Sequence, residues 1–345
     1  MPKIIVSGGC GYIGSHTAVD LRANGFEVIS IDSFIRSHPK ILKHIENVSG
    51  ISYFNYSTDL CDKKQLAEVF KAHSDAVGII HFAALKSVPE SVKKPLDYYS
   101  NNIGGLCNLL EMMSVFNIPN IIFSSSCSVY GNVHTLPVAE DSPLGIAESP
   151  YAATKQMGER IIQDFIASEQ DKKAVLLRYF NPGGAHPSGL LGEMPQKNIS
   201  NLIPILMNAV SGAVNDFFVH GNDYPTRDGT CIRDYIHIMD LADAHTRSLR
   251  FLLEGKNSKA CEIFNVGIGE GVTVMEAIKA TELATGLKVP YKIGPRRDGD
   301  VVAIYADYSK AARLLGWQPK FDINDIMSSA WKWEQYLKVK LEGRN

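Results

Sequence analysis

Two residues four positions apart, Tyr151 and Lys155, are the strongest candidates for chemistry in the sequence. On a helix both side chains leave the same face, one turn apart. A phenol has an ordinary pKa of about 10 and is a poor base at neutral pH, but a nearby ammonium group lowers that pKa. A serine-rich segment ending at Ser126 precedes the pair. The Ser126 hydroxyl is expected to form a hydrogen bond with the same substrate hydroxyl as Tyr151. These residues predict a proton-transfer apparatus beside a hydride acceptor.

The same spacing occurs a second time, at Tyr336 and Lys340. Because the chain contains 14 tyrosines, roughly one chance match is expected in any case. The second pair lies in an amphipathic C-terminal segment with no hydroxyl-rich strand before it, so we interpret it as helix surface. A role for Tyr151 therefore depends on a cofactor site elsewhere in the sequence.

A glycine loop near the start of the chain predicts that site. The apolar run 3–6 leads into Gly8, Gly11 and Gly14, followed by a helical segment and a second apolar run that ends at Asp32. Gly8 permits a tight turn, Gly11 lets the backbone approach a pyrophosphate, and Gly14 lets helix and strand pack closely. The pyrophosphate is then held at a helix N-terminus, while Asp32 binds the adenosine ribose and repels a 2′-phosphate. The segment predicts NAD rather than NADP.

Later strand ends supply further candidates. Asp59 ends one segment and is interpreted either as an adenine contact or as part of a solvated turn. The predicted strand 77–82 leads into Ala83 and Ala84, whose small side chains suggest close backbone approach to a ligand. Lys86, in the same loop, is either a cofactor contact or an ordinary loop charge, and we favour the contact.

The elements that must position these residues alternate between strand and helix through the first half of the chain. This alternation predicts an α/β fold with a doubly wound parallel Rossmann sheet and ligands at the carboxyl ends of its strands. After the breaker-rich loop 181–187, short helices mix with scattered short strands. We predict a cofactor-binding domain at 1–180 and a smaller mixed α/β substrate lobe at 181–345, with some segments returning to the sheet.

Arginines mark two turn-prone loops in the second half of the chain. A guanidinium group holds a diphosphate through two parallel hydrogen bonds. For Arg227 and Arg296 we favour surface ion pairs, whereas for Arg233 and Arg297 we favour phosphate binding. The histidines near these loops complete no metal-ligand set, and we predict no metal.

Composition excludes several function classes. The chain has 345 residues, 45% of them apolar, which is enough for a large buried core. Its formal net charge is −2, and no block of basic residues is present that would bind nucleic acid or acidic lipid. Six cysteines without metal spacing indicate a reducing compartment. The glycine loop leaves no room for a signal peptide, and no apolar run approaches the length of a membrane span. We therefore expect a cytoplasmic protein.

Six motifs are distributed along the chain: GGCGYIGSHT at 8–17, HFAALK at 81–86, ESVKKPL at 90–96, SSSCSVYG at 124–131, RYFNP at 178–182 and RDYIH at 233–237. In order and spacing they resemble the extended short-chain dehydrogenase/reductase superfamily, and within it the 4-epimerases of UDP-sugars. The resemblance implies NAD-dependent epimerisation at C4 of a UDP-hexose through a 4-keto intermediate, with UDP-glucose and UDP-galactose interconverted and NAD regenerated in each turnover.

The resemblance also assigns roles to residues. Tyr151 would take the proton of the 4-hydroxyl, Ser126 would bind the same oxygen, and Lys155 would lower the pKa of Tyr151 and hold the nicotinamide ribose. The implied cofactor contacts are Gly8, Gly11, Tyr12, Ile13, Gly14, Asp32, Ser33, Asp59, Leu60, Phe82, Ala83, Ala84, Lys86, Asn101, Ser124, Tyr151, Lys155 and Phe180. The implied substrate contacts are Ser126, Asn181, Asn201, Leu202, Val219, His220, Arg233, Arg297, Asp300 and Ile304.

Some alternatives stay open at this point. Ile304 occupies a position that gates the sugar's 2-substituent, and its intermediate size favours UDP-glucose and UDP-galactose without excluding N-acetylhexosamines. UDP-pentoses and UDP-uronic acids are further possible substrates. A dehydratase would need an acid beside Ser126, where the sequence has Cys127 and Ser128; a decarboxylase and a non-catalytic NAD sensor are the remaining alternatives. The resemblance also implies a homodimer through helices at about 97–116 and 152–168.

Overall fold

The computed structural model describes residues 1–133, 135–195, 201–214, 217–297 and 300–342. Its strands are β1 (Lys3–Ser7), β2 (Glu27–Ile31), β3 (Asn55–Tyr56), β4 (Ala76–His81), β5 (Asn120–Ser126), β6 (Lys173–Tyr179), β7 (Asn181–Gly183), β8 (Phe218–His220), β9 (Ile232–Arg233), β10 (Tyr235–His237), β11 (Cys261–Val266), β12 (Val272–Thr273), β13 (Lys292–Gly294) and β14 (Ala303–Ile304).

Its helices are α1 (Tyr12–Ala23), α2 (Ile41–Ser49), α3 (Lys63–Ala72), α4 (Val88–Lys93), α5 (Pro95–Tyr98), α6 (Gly105–Val115), α7 (Pro150–Ser168), α8 (Leu202–Val210), α9 (Ile238–Leu253), α10 (Val274–Thr285), α11 (Ser309–Leu315) and α12 (Ile323–Glu342). A π-helical turn at Tyr99–Gly104 joins α5 to α6, and a 3-10 turn at Cys127–Tyr130 follows β5. None of the helices within the described ranges is long and apolar enough to cross a membrane.

Seven strands among the described residues form one parallel sheet in the order β11-β6-β5-β4-β1-β2-β3. The chain winds outward from β1 in one direction through β2 and β3, and in the other through β4, β5 and β6. The winding direction therefore reverses between β1 and β4, and at such a point the strand ends leave a crevice for a ligand. The predicted doubly wound α/β fold is confirmed.

Helices cover both faces of this sheet because its strands are apolar runs buried on both sides. On one face Leu21 of α1 and Leu249 of α9 belong to a buried cluster with the strands. On the other face Phe70, Leu109 and Ile162 of α3, α6 and α7 form a second cluster. The sheet is thus a rigid middle layer whose carboxyl edge can hold side chains in fixed positions.

The second half of the chain builds a separate apolar cluster from α8, α10 and α12, which includes Met207, Ile278 and Met327. Short two- and three-stranded sheets accompany it: β7 with β10, β8 with β13, and β9 between β12 and β14. Strand β11 comes from this half of the sequence but lies at the edge of the large sheet, parallel to β6. The division of domains at residue 180 remains a prediction.

One helix differs from expectation. The single helix predicted at about 97–116 is α5, the π-helical turn and α6 in succession. The wider turn carries the buried side chain of Asn102, which donates to the Leu85 carbonyl at 3.0 Å and to Thr154 Oγ1 at 3.1 Å. An apolar 3.6-residue period cannot reveal such a turn, because its cause is this contact between distant segments.

Candidate functional site

A cavity of about 540 Å³ opens at the carboxyl ends of the central strands. All the predicted cofactor residues line it, from Gly8 at the end of β1 to Phe180 after β6. All three predicted catalytic residues also line it, at the ends of β5 and the start of α7. The topology therefore brings the glycine loop and the tyrosine–lysine pair into one crevice.

The glycine loop is packed so tightly that side chains would not fit. Gly8 has a φ of +76°, and a Cβ there would lie 2.7 Å from the Ala83 amide nitrogen. A Cβ on Gly14 would run into the Gly8 carbonyl oxygen. At Gly11 the same carbonyl lies 3.2 Å from a built Cβ, and no second heavy atom of the described residues comes within 4 Å. The backbone at Gly11 thus has open space on the cavity side.

Helix α1 starts in this loop without a side-chain cap and without an acidic residue in its first turn. Its first amide groups and the positive end of its dipole are therefore available for an anion. A pyrophosphate placed against Gly11 would meet backbone donors and no repelling carboxylate. The donors and the open space both fit a dinucleotide cofactor.

At the end of β2 the carboxylate of Asp32 is fixed by three donors. Oδ2 accepts from the Cys10 amide at 3.0 Å, while Oδ1 accepts from the Phe34 amide at 2.9 Å and from the Ser37 hydroxyl at 2.6 Å. These bonds hold the acidic group at the cavity wall next to the glycine loop. A carboxylate in this place can accept from both ribose hydroxyls and opposes a 2′-phosphate.

Helix α7 places the tyrosine and the lysine at the other end of the cavity. Ser149 caps the helix by accepting from the Ala152 amide at 3.2 Å, and Pro150 occupies its first turn. Lys155 Nζ lies 5.9 Å from the centroid of the Tyr151 ring and donates to the Ser124 carbonyl at 2.6 Å. The lysine is only 6% exposed. Its charge is therefore directed along the strand end that presents the serines.

The pKa of Tyr151 differs from the sequence-based expectation. Burial raises this pKa above the ordinary value of 10.0, the neighbouring Tyr179 adds to the rise, and a hydrogen bond with Ser126 partly opposes it. The expected lowering by Lys155 does not dominate, because the ammonium is directed at the Ser124 carbonyl rather than at the phenol. Burial in turn lowers the pKa of Lys155 to about 8. Tyr151 is thus protonated in this geometry and needs added positive charge to act as a base.

The predicted substrate residues divide into two groups. Those that line the cavity are Ser126, Asn181, Asn201, Arg233 and Ile304. The lining does not include Leu202, Val219, His220, Arg297 and Asp300.

The burial of some residues in the second group explains their position. Val219 is 1% exposed and packs in the apolar cluster of the second half, so its side chain does not face the cavity. His220, its neighbour on β8, approaches the Pro295 carbonyl with Nδ1 at 3.3 Å. Val219 could therefore contact the base of a nucleotide only through its backbone, whereas His220 could also use its imidazole ring.

The two arginines for which phosphate binding was favoured meet at one carboxylate. Arg233 Nη2 lies 3.4 Å from Asp300 Oδ1, and Arg297 Nε lies 3.0 Å from Asp300 Oδ2. Arg227 and Arg296 instead form exposed pairs with Glu276 and Asp223, as the sequence analysis favoured. The structure thus brings the two arginine loops together, although only Arg233 reaches the cavity wall.

A buried carboxylate anchors the Arg233 segment. Asp234 is fully buried and accepts from the amides of Ile268 at 2.8 Å, Gly269 at 3.1 Å and Ala306 at 3.0 Å. These bonds join three chain segments behind Arg233. Burial raises the pKa of Asp234 to about 6 although the three amides oppose the rise.

Sequence reasoning missed several polar residues at the site. Tyr179 lines the cavity, and its hydroxyl is hydrogen-bonded to the hydroxyl of Ser124. Glu159, on the same face of α7 as Tyr151 and Lys155, accepts from the Ser125 hydroxyl and pairs with Arg178. The spacing 151, 155, 159 is visible in the sequence and was the available signal for Glu159. Tyr179 had no such signal because it was counted only as a strand residue.

Comparison with known proteins gives a consistent result. The family model described as GDP-mannose 4,6 dehydratase matches residues 5–330. A protein of Bacillus subtilis named UDP-glucose 4-epimerase is 43% identical over 331 residues, which are 96% of each chain. A UDP-glucose 4-epimerase of Bos taurus is 43% identical over 339 residues, again 96% of each chain.

Solved structures agree with these relatives. A UDP-glucose 4-epimerase from Stenotrophomonas maltophila, with bound NAD and formylated UDP-arabinopyranose, has a TM-score of 0.95 at 40% identity and covers 99% of this chain and 100% of that one. The enzyme from Bifidobacterium longum, in complex with NAD+ and UDP, has a TM-score of 0.91 at 41% identity and covers 97% and 98%. The resemblance read from the motifs is confirmed, and the chain belongs to the UDP-glucose 4-epimerase family, within the wider group that the GDP-mannose 4,6 dehydratase model describes.

Proposed function

We propose that the protein interconverts UDP-glucose and UDP-galactose by NAD-dependent epimerisation at C4. The observation that carries this proposal is that Tyr151, Ser126 and Lys155 lie in the same cavity as the glycine loop and Asp32. Two solved structures of UDP-glucose 4-epimerases to which the chain is similar contain NAD together with UDP or a UDP-sugar. When bound, NAD supplies the acceptor for the C4 hydride and the donor that returns it.

The protein's own groups handle the proton and the orientation of the sugar. Tyr151 takes the proton of the 4-hydroxyl as the 4-keto sugar forms and returns it after the sugar has turned in the pocket. Ser126 binds the same oxygen, and Lys155 supplies positive charge next to the phenol. Because burial raises the pKa of Tyr151, proton uptake by the tyrosine requires the ammonium form of Lys155, and bound oxidised NAD would supply further positive charge.

The second half of the chain holds the UDP moiety in this proposal. Arg233 and Arg297 bind the diphosphate. Their ion pairs with Asp300 break when the ligand binds, and Asp300 then contacts the ligand instead. Asn181 and Asn201 line the same cavity as Tyr151 and Arg233. Residues 1–180 form the NAD-binding domain and residues 181–345 mainly the UDP-sugar lobe.

A dehydratase is less favoured by the cavity wall. Among the described residues, the carboxylates that line the cavity are Asp32, Asp59, Glu90 and Glu148. The turn after Ser126 contributes Cys127 and Ser128 to the cavity wall, so the two described residues that follow the serine in the chain carry no carboxylate. Elimination of the 6-hydroxyl would lack an acid in that place.

The purified protein, incubated with UDP-galactose and no added NAD, is expected to form UDP-glucose. The control is Tyr151→Phe, which keeps the ring but removes the exchangeable proton. A different product would indicate another sugar-nucleotide reaction, and no product from any UDP-sugar would favour a non-catalytic NAD sensor. Either result contradicts the proposal.

Substrate range follows from Ile304, which is buried at the cavity wall. Its side chain leaves less room than a small residue would for a bulky 2-substituent, so UDP-galactose is the preferred substrate over UDP-N-acetylgalactosamine. Equal kcat/KM for the two sugars would contradict this preference, and Ile304→Ala is expected to reduce it.

The assembly and compartment belong to the same proposal. Val115 and Met157 are apolar and exposed on the predicted dimer helices, and Val92 and Leu96 are exposed on the short helices α4 and α5 that precede them, which supports a homodimer. The cysteines are free, which suits a reducing cytoplasm. A monomeric mass in solution would contradict the dimer.

A further inference from the structure

The buried ion pair between Glu159 of α7 and Arg178 of β6 has no part in the mechanism so far. Arg178 Nη2 lies 2.7 Å from Glu159 Oε2, and Nε lies 2.8 Å from Oε1. The side chains are 2% and 3% exposed. Apolar residues of similar volume often stabilise a fold as well as such a pair does, so stability alone does not account for it.

Helix geometry connects this pair to the reacting end of the cavity. Glu159 lies one turn beyond Lys155, which lies one turn beyond Tyr151, so the three side chains leave the same face of α7. Strand β5 contacts all three: the Ser124 carbonyl accepts from Lys155, the Ser125 hydroxyl donates to Glu159, and Ser126 is hydrogen-bonded to Tyr151. Glu159 and Lys155 are thus held by consecutive residues of one strand.

The groups that face Lys155 can be named from every element packed against it. They are Tyr151 and Glu159 on α7, the Phe123 ring at 5.0 Å and the Ser124 carbonyl on β5, and His81 on β4. On β6, Tyr179 and Arg178 are the partners of Ser124 and Glu159. Of these groups Glu159 is the carboxylate, and Arg178 is a second cation behind it. Burial disfavours a proton on Lys155, and Glu159 opposes that effect.

We propose that Glu159, held in place by Ser125 and Arg178, is a positioning residue that keeps Lys155 protonated beside Tyr151. The kinetic consequence rests on the proposed epimerase function, whereas the charge state of Lys155 can be measured without it. Burial has already brought the pKa of Lys155 down to about 8, with Glu159 as the group that raises it. Loss of that carboxylate would leave the lysine largely neutral at physiological pH.

The test compares Glu159→Gln with Asp164→Asn. Asp164 is an exposed acid on the same helix, paired with Arg160 at 2.9 Å and remote from the cavity. Glu159→Gln keeps the shape and an acceptor but removes the charge, so the alkaline limb of kcat/KM is expected to move down by about one pH unit or more. Asp164→Asn is expected to leave it in place.

A second readout does not need turnover. Protein labelled with an NMR-active nitrogen in its lysine side chains gives a Lys155 signal, assigned by its loss in Lys155→Met. The titration midpoint of this signal is expected to move down in Glu159→Gln by the same amount as the kinetic limb. If the wild-type protein turns over no UDP-sugar, the proposed function fails, and this titration still decides the role of Glu159.

Two more variants separate charge from structure. Glu159→Asp keeps the negative charge and is expected to retain the wild-type midpoint even if the rate falls. Ser125→Ala removes the hydroxyl that holds Glu159 and is expected to move the midpoint down, by less than Glu159→Gln, which also provides the test if Glu159→Gln does not fold. A folded, NAD-loaded Glu159→Gln protein with an unchanged midpoint, or an upward shift in Ser125→Ala, would overturn the proposal.

Discussion

Two tyrosine–lysine pairs with the same spacing stand in this molecule, one on α7 and one on α12. In the first, Lys155 Nζ lies 5.9 Å from the Tyr151 ring centroid, and in the second, Lys340 Nζ lies 5.8 Å from the Tyr336 ring centroid. The internal geometry of the two pairs is therefore nearly the same. Any difference in what they can do has to come from their surroundings.

Those surroundings have little in common. Lys155 is buried, bonded to the Ser124 carbonyl and directed into the cavity, whereas Lys340 is exposed near the end of α12. Tyr336 stacks on Trp333 with ring centroids 5.7 Å apart, and its ring serves packing. A cation near a phenol thus becomes useful for proton transfer where water is excluded and a ligand site adjoins it.

The largest expected effect tests this comparison directly. Tyr151→Phe is expected to lower kcat by about 10³-fold, because general acid–base catalysis by one side chain contributes roughly 10²–10⁴-fold. Tyr336→Phe, the matched change on α12, is expected to leave kcat unchanged. Both variants should retain bound NAD, measured by the cofactor released on denaturation.

If the two substitutions reduced kcat equally, the distinction between the pairs would be wrong. A Tyr151→Phe protein that lost its NAD would also be uninformative about proton transfer, since the cofactor site itself would then depend on the phenol hydroxyl. That outcome would contradict the separation of roles between the two ends of the cavity.

The second prediction concerns a substitution that changes the cofactor site next to the Tyr151–Lys155 pair and leaves the pair itself intact. Gly11→Val places a branched side chain on the cavity side of the glycine loop, where a built Cβ meets only the Gly8 carbonyl. The protein is expected to fold and to bind NAD about 10²-fold more weakly, since about two charge-assisted hydrogen bonds would be lost. Isothermal titration with NAD after removal of the bound cofactor measures this change.

The control for Gly11→Val is Gly25→Val. Gly25 follows α1 at a φ of +85°, so the change strains the backbone, but no atom in the described part of the chain lies within 4 Å of a built Cβ, and the position is outside the cavity lining. It is expected to cost stability and leave the NAD affinity unaltered. Equal loss of NAD in both variants would mean that the glycine loop acts through general stability rather than as a cradle.

The two ends of the cavity differ in how far the sequence could predict them. The cofactor end follows from local patterns, because glycines at fixed spacing and an acid at a strand end are needed within a single strand–helix–strand unit. The three glycines and Asp32 line the cavity, and so do the cofactor residues that the family resemblance implied. The fold class followed from the same alternation of strand and helix.

The substrate end depends on packing between distant segments, and the sequence predicted it less well. The burial of Val219 in the second apolar cluster and the meeting of Arg233 and Arg297 at Asp300 require segments that lie far apart in the chain. The raised pKa of Tyr151 has a similar origin, since burial by the whole pocket outweighs the neighbour one turn away. Spacing alone cannot supply the degree of burial.

The third prediction applies the same comparison to arginines. Arg233 lines the cavity and is 18% exposed, whereas Arg227 is 49% exposed and paired with Glu276 on the surface. Arg233→Gln is expected to raise KM for UDP-galactose about 30-fold, because a charge-assisted contact to phosphate contributes about 2 kcal/mol. Arg227→Gln is expected to change KM less than about twofold.

Steady-state kinetics at two salt concentrations sharpen this result. Loss of a phosphate contact should raise KM and leave kcat nearly constant, since the interaction is the same in ground and transition states. A fall in kcat with constant KM in Arg233→Gln would place this arginine at the reacting centre instead. A large effect of Arg227→Gln would show that the exposed loop also reaches the ligand.

The smallest expected effect concerns pH and again separates the buried lysine from the exposed one. The ammonium form of Lys155 is the active form, and its pKa is lowered from 10.5 to about 8 by burial. The value of kcat should therefore be level below about pH 7, fall to about half at pH 8 and fall about tenfold by pH 9. Stability should change in the opposite direction, because the unfolded chain keeps its proton up to about pH 10.5 and the folded chain does not.

The Lys155 contribution to stability is thus present above pH 10.5 and lost as pH falls through 8. Its size is on the order of 3 kcal/mol for a shift of this extent. Urea unfolding at pH 8 and pH 10 compares wild type with Lys155→Met and Lys340→Met. Wild type is expected to gain free energy of unfolding between pH 8 and pH 10. This gain should be missing in Lys155→Met and retained in Lys340→Met. Opposite trends of activity and stability over one pH interval would be difficult to obtain from a lysine that is exposed to solvent.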